Sequence, residues 1–240
     1  MTDSPQPLWV YLSQSPLLWL TVTLLVFVVA NLASELAGRN PLMNPVLHSI
    51  WIVSSVLYLT GTSYPTYFQG AQFIHFLLGP ATVALAAPLY EHRKLVSAAL
   101  LPMLAALIVG SVTAIVSIIL LAELVGLPRE VVLALAPKSV TAGVAMGISD
   151  AIGANPAVTV VATVMTGVMG AILVSPIMNW LGISDYRARG FAAGLASHGL
   201  GAARAFQVNQ IAGAFAGMAM GLNAFITSLL VPVMAKLLVG

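Results

Sequence analysis

Lys138 stands where a lysine is costly. It lies in Ala134-Leu135-Ala136-Pro137-Lys138-Ser139-Val140-Thr141-Ala142-Gly143-Val144-Ala145-Met146, an apolar run that otherwise reads as a membrane helix. Pro137 removes one backbone donor and crowds the carbonyl one turn back, so the helix must kink or break there. Freed peptide groups and an ammonium persist in hydrocarbon only where protein or a wet cavity surrounds them. Ser139 and Thr141 add hydroxyls, and a helix restarting after the break presents N–H groups, so Lys138 suits a small anion. The competing reading is a proline kink with Lys138 snorkelling to an interface.

The punctuation recurs. Leu78-Gly79-Pro80-Ala81-Thr82-Val83-Ala84 aligns with the Lys138 stretch when Pro80 is set on Pro137, which brings Gly79, Pro80 and Thr82 into the candidate site. A weaker copy is Ala196-Ser197-His198-Gly199-Leu200-Gly201-Ala202-Ala203-Arg204, where Gly199 and Gly201 replace the proline. Here Ser197 offers a hydroxyl and Arg204 a planar fork for a carboxylate; an internal ion pair with Asp150 or Glu35 is the alternative for Arg204. His198 suits proton coupling, with Asp150 as a second candidate. A hydrogen-bonded packing histidine and a charge at a helix end explain the same two residues. Repeated broken helices in corresponding positions point to a transporter binding site.

Other chemistry finds no support. Ser197 and His198 are neighbours and lack the separated geometry of a triad, and there is no G-x-S-x-G, P-loop, dinucleotide fingerprint or H-E-x-x-H. His48, His75 and His92 have no metal-ligand spacing. The absence of cysteine excludes thiol catalysis, zinc-thiolate sites and disulfides. No enzyme, cofactor, metal or nucleic-acid partner is expected.

The elements that position these residues follow from charge distribution. The chain is 60% apolar and 7% charged, against about a quarter charged in soluble domains. Leu17 to Ala33, Leu95 to Ala122, Ala151 to Ser184 and Ala205 to Ala235 carry no charge, and each suffices for a crossing of about 30 Å. The expectation is an all-α polytopic membrane protein with internal repeats, broken or re-entrant helices and about seven or eight membrane segments. Residues 1–16 read as a polar lead rather than a signal peptide, with Trp9 and Tyr11 at headgroup depth. Residues 17–240 form one transmembrane domain, with broken units near 71–94, 131–152 and 186–210. Gly61 to Gly70 reads as a loop. Arg39 and His92-Arg93-Lys94 oppose Arg187 and Arg189 in a positive-inside count, so orientation stays open. The rows Gly190/Gly194 and Gly213/Gly217/Gly221 read as internal close packing rather than a dimer seam; a homo-oligomer also stays open.

By Leu77 to Ala86, Ala136 to Thr141 and Ala196 to Ala205, with Asn44-Pro45 and Pro88-Leu89-Tyr90, the chain resembles the LrgB/CidB family of bacterial membrane proteins. Their plant relatives form the C-terminal half of a chloroplast glycolate/glycerate translocator. Ala142-Gly143 departs from the Thr-Pro found there in many members. The resemblance implies a multi-pass protein of the bacterial cytoplasmic (inner) membrane with one of two roles. One is antiholin-like modulation of murein hydrolase export and autolysis beside a small LrgA/CidA-type partner. The other is transport of small monocarboxylates resembling pyruvate, glycolate or lactate. Lys138, His198 and Arg204 at repeated breaks favour the second, since a holin-like structural role has no evident need for them.

Overall fold

The computed structural model describes residues 15–77, 80, 83–84, 90–91 and 93–239, which form helices joined by turns, with no strand among them. The chain divides into two compact units, Met1–Ala84 and Leu85–Gly240, each described by itself.

The first unit contains α1 (Pro16–Leu36), a 3-10 turn (Pro41–Met43), α2 (Pro45–Thr60) and α3 (Tyr64–Phe76). A proline stands in the first turn of each helix, where its missing N–H leaves no bond unmade. Asn44 caps α2 by accepting from the N–H groups of Val46 and Leu47. The loop expected over 61–70 is corrected: Gly61 ends α2 at φ 63°, and α3 starts only three residues later at Tyr64, capped by Ser63. Pro65 opens that helix instead of breaking it. α3 crosses α1 at Gly70, where a Cβ would meet the Pro16 carbonyl oxygen and the Trp19 side chain. Trp19 is fully buried, edge-on to Tyr67 at 6.0 Å. Of the broken unit expected near 71–94, Gly79 and Thr82 lie outside the described residues, as do Trp9, Tyr11 and His92. Pro80 is exposed.

The second unit contains α4 (Arg93–Ala98), α5 (Leu100–Leu124), α6 (Arg129–Leu135), α7 (Ala142–Ala151), α8 (Pro156–Trp180), α9 (Tyr186–Val208) and α10 (Gln210–Leu238). Among the described residues, four helices are long and apolar enough to cross a membrane: α1, α5, α8 and α10. The other segments of the seven or eight expected fall on helices that are shorter or more polar, or partly outside the described residues. Leu104, Ile108 and Leu120 on α5, and Phe225, Leu229 and Val233 on α10, leave the unit's surface apolar. Such faces are stable in hydrocarbon and would be an aggregation hazard in water.

The helices between the long ones double back. Thr159 Oγ1 bonds both the Ala134 carbonyl oxygen and Ser149 Oγ at 2.8 Å. In one straight helix those residues would lie about 22 Å apart, so α6 and α7 run antiparallel, joined by the non-helical stretch 136–141. α9 is two limbs, because His198 has φ 43° and ψ −131°. A Cβ on Gly201 would touch the Ala193 carbonyl oxygen, which a straight helix would hold about 12 Å away. The limb 199–208 therefore folds back along 186–197.

Two cores fix the directions of the long helices. Met103 and Leu107 of α5 pack with Phe191, Leu195, Phe215 and Ala219. Ile115, Ile119 and Ala122 of α5 pack with Val132, Val140, Ala145, Ile148 and Val231. The early halves of α5 and α10 thus share one core and their later halves the other, so α5 and α10 run parallel. α8 runs opposite: Thr159 meets the α6/α7 hairpin near its start, while Ser175 near its end accepts from Arg189 at 3.5 Å. The two hairpins enter the unit from opposite ends.

Candidate functional site

The hairpin tips meet at mid-length of the long helices. A cleft of about 620 Å³ is lined by Lys138 and Ser139 from the first tip, and by Leu195, Ala196 and Ser197 from the second. Thr113 and its α5 neighbours, with Met165, Thr166, Met169 and Gly170 of α8, form the rest of its wall. Lys138 is half-buried, and among the described residues its ammonium has neither a hydrogen bond nor an ion pair. Ser197 is 1% exposed, and its Oγ has no hydrogen-bond partner among the described residues. A cation and an unpaired hydroxyl in one cleft attract an anion with oxygen acceptors, because leaving such groups unpaired in a low-dielectric interior is costly.

Small residues on α8 admit the second tip. A Cβ on Gly167 would stand 2.6 Å from the His198 ring carbon Cε1, and one on Gly170 would lie 2.7 Å from Ser197 Cβ. In this notch His198 Nε2 bonds the Thr163 carbonyl oxygen at 3.0 Å, so the ring is the donor. A non-glycine residue with the φ and ψ of His198 sits in a sparsely populated region that costs about 1–3 kcal/mol. The ring bond and the burial of His198 (6% exposed) hold it there.

Asn223 of α10 ties the tips together from behind. It is 1% exposed. Its Nδ2 donates to the carbonyl oxygens of Ser139 and Leu195, both at 3.0 Å. Its Oδ1 accepts from Ser111 Oγ at 2.8 Å and Thr227 Oγ1 at 3.0 Å. Carbonyl oxygens can only accept, so the amide orientation follows from its partners.

Of the residues singled out from the sequence, Lys138, Ser139 and Ser197 line one cleft, and His198 lies directly behind Ser197. Pro137 is buried in the first tip, and Thr141 is half-buried at the N-cap of α7 without a side-chain cap bond. Gly199 and Gly201 belong to the returning limb, where Gly201 serves close packing on Ala193. Asp150 is exposed at the end of α7, away from the tips. Arg204 does not join Lys138. It lines a separate cavity of about 20 Å³ with Tyr186 and Arg189, and donates to Gln207 Oε1 at 3.3 Å. The fold-back that brings Ser197 to the centre carries Arg204 back towards the start of α9. Glu35 pairs with Arg39 at 3.3 Å. The glycines Gly190 and Gly194 pack internally, each against a backbone carbonyl of α10 (Ala212 and Ala216).

Sequence reasoning missed Asn223, Thr113, Thr166 and the Gly167/Gly170 notch. Two signals were legible: an asparagine inside a long apolar helix, and Thr159, Thr163, Thr166 and Gly170 spaced four, three and four apart along one face of α8.

The family model described as "LrgB-like family" matches residues 23–237. "Holin-like protein CidB" of Staphylococcus epidermidis is 31% identical over 220 residues, covering 92% of this chain and 96% of the relative. "Uncharacterized protein YxaC" of Bacillus subtilis is 34% identical over 219 residues, covering 90% and 95%. An uncharacterized protein of Haemophilus influenzae is 32% identical over 200 residues, covering 83% and 87%. No solved structure matches.

Proposed function

Because this chain belongs to the LrgB-like family, we propose that it is a multi-pass carrier of small monocarboxylates in the bacterial inner membrane. The observation that carries the reading is the unpaired ammonium of Lys138 in a cleft built from two opposed hairpin tips. The carboxylate meets Lys138, with the hydroxyls of Ser139, Ser197, Thr113 and Thr166 around it. The apolar Met165, Met169 and Leu195 face the short carbon chain. α6/α7 and the two limbs of α9 act as re-entrant hairpins, entering the bilayer without crossing it. Since they enter from opposite ends, movement of one tip exposes the cleft to one side and movement of the other to the opposite side. His198, in the wall behind Ser197, is the candidate for proton coupling. Arg204 anchors the returning limb rather than the anion.

A second reading is favoured by the printed name of the staphylococcal relatives. A holin-like protein would act on envelope permeability, beside the small LrgA/CidA-type partner that the family resemblance implies. In that case the tips are packing elements of an assembly.

Uptake of labelled pyruvate, glycolate and lactate into proteoliposomes separates the two. The carrier reading expects saturable uptake with counterflow, lost in a folded Lys138→Ala protein. Release of large dyes from the same vesicles, with no saturable uptake with or without the partner, establishes the holin-like reading instead.

A further inference from the structure

Both hairpin tips leave carbonyl oxygens at a break, where the regular donors four residues later are missing. Buried carbonyls need partners. Ser139 and Leu195, one from each tip and 56 positions apart by number (195 − 139), find the same partner, the Nδ2 of Asn223. An amide has two N–H donors, and both are used here. Ser111 and Thr227 hold the other end, so the amide cannot turn without breaking bonds at both of its ends.

We infer that Asn223 is the positioning residue of the cleft, holding Lys138–Ser139 and Leu195–Ser197 at one separation so that the anion site exists only while both tips are engaged. This rests on the carboxylate reading for what the site binds, though not for how the tips are held. Asn223 touches no ligand. It acts through the backbone on either side of the cleft, and an outward swing of either tip must first release one of its two donor bonds. Loss of the amide frees both tips together, although they belong to different hairpins.

Hydrogen exchange of the full-length protein in detergent, read at the amides of 136–141 and 195–199, tests this alongside pyruvate uptake. Asn223→Leu should speed exchange at both tips by about tenfold or more, the scale of one to two lost hydrogen bonds, with the centres of α5 and α8 unchanged. In the same variant KM for pyruvate should rise about tenfold with a smaller change in the maximal rate. If Asn223→Leu does not fold, Ser111→Ala leaves the amide in place with Thr227 as its one remaining anchor, and should loosen both tips by a smaller factor, about threefold. Wild-type exchange at either tip, or loosening spread evenly through the unit with KM unchanged, overturns the assignment. If wild-type protein neither binds nor carries pyruvate, the carboxylate reading falls while the exchange result still decides the role of Asn223.

Discussion

Gly170→Ala adds one methyl group at the point where α8 meets the second tip. The new Cβ would overlap Ser197 Oγ and lie 2.7 Å from Ser197 Cβ. Rotation of the hydroxyl relieves the first contact. The second is between carbons, whose optimal separation is about 3.5–4.0 Å, so the backbone of the tip must withdraw by about 1 Å. Overpacking of this kind costs about 1–3 kcal/mol, while the glycine-to-alanine exchange inside a helix returns about 0.5–1 kcal/mol. The net expectation is destabilisation of about 1 kcal/mol at mid-range and about 2.5 kcal/mol at most. It should come with a pyruvate KM raised several-fold, since Ser197 moves relative to Lys138. Gly147→Ala on α7 is the matched control: a Cβ there meets nothing within 4 Å, so helix propensity alone should leave it equal to or more stable than wild type. Thermal melting of the two variants in detergent, with uptake by proteoliposomes, reads both effects. If Gly170→Ala melts and transports as wild type, the notch does not position the tip.

Lys138→Arg keeps the charge but replaces a compact ammonium by a broad planar fork, and should retain uptake with KM raised several-fold; complete loss would mean that the cleft admits only an ammonium. Gly194→Ala places a Cβ on the Ala216 carbonyl oxygen, a backbone atom that no rotamer change can move. It should lower the melting temperature more than Gly170→Ala, and an unchanged melt would refute the close approach of α9 to α10. Asp185 caps α9 through the Arg187 N–H at 2.8 Å, and the Arg187 side chain and backbone N–H hold its carboxyl below the usual carboxylate range. Its folded value lies below its unfolded value, so its contribution is complete at neutral pH and fades as pH falls below about 4. Asp185→Asn should flatten the acid side of the melting profile with little change at neutral pH, the pair being solvent-exposed; identical profiles from about pH 3 to 7 would dismiss the effect.

Much of the site was legible along the chain. An ammonium beside a proline, or a histidine between Ser197 and Gly199, is costly in hydrocarbon wherever the chain goes. Lys138, Ser139, Ser197 and His198 could therefore be named from local chemistry alone. The end of α2 at Gly61, and the family itself, were equally local or linear. The loop expected over 61–70 failed because a proline such as Pro65 reads alike as a breaker and as a first-turn residue, and only the neighbouring Ser63 cap distinguishes the two.

Long-range geometry decided the rest. Whether a break bends a helix or reverses it depends on what the returning limb packs against. Thr159 between Ala134 and Ser149, and Gly201 on Ala193, supply those contacts from residues far along the chain or across a turn. Reversal sends Arg204 away from Lys138, although each is the cation of its own linear motif. Asn223 looks like one polar residue in an apolar helix until the fold brings two backbone carbonyls to its amide. Residue type and spacing identified which groups must be paired, solvated or bound to something, because desolvation penalties belong to the group itself. Which groups share a partner was settled by the tertiary structure, because hydrogen bonds and close packing depend on distances that a linear chain does not contain.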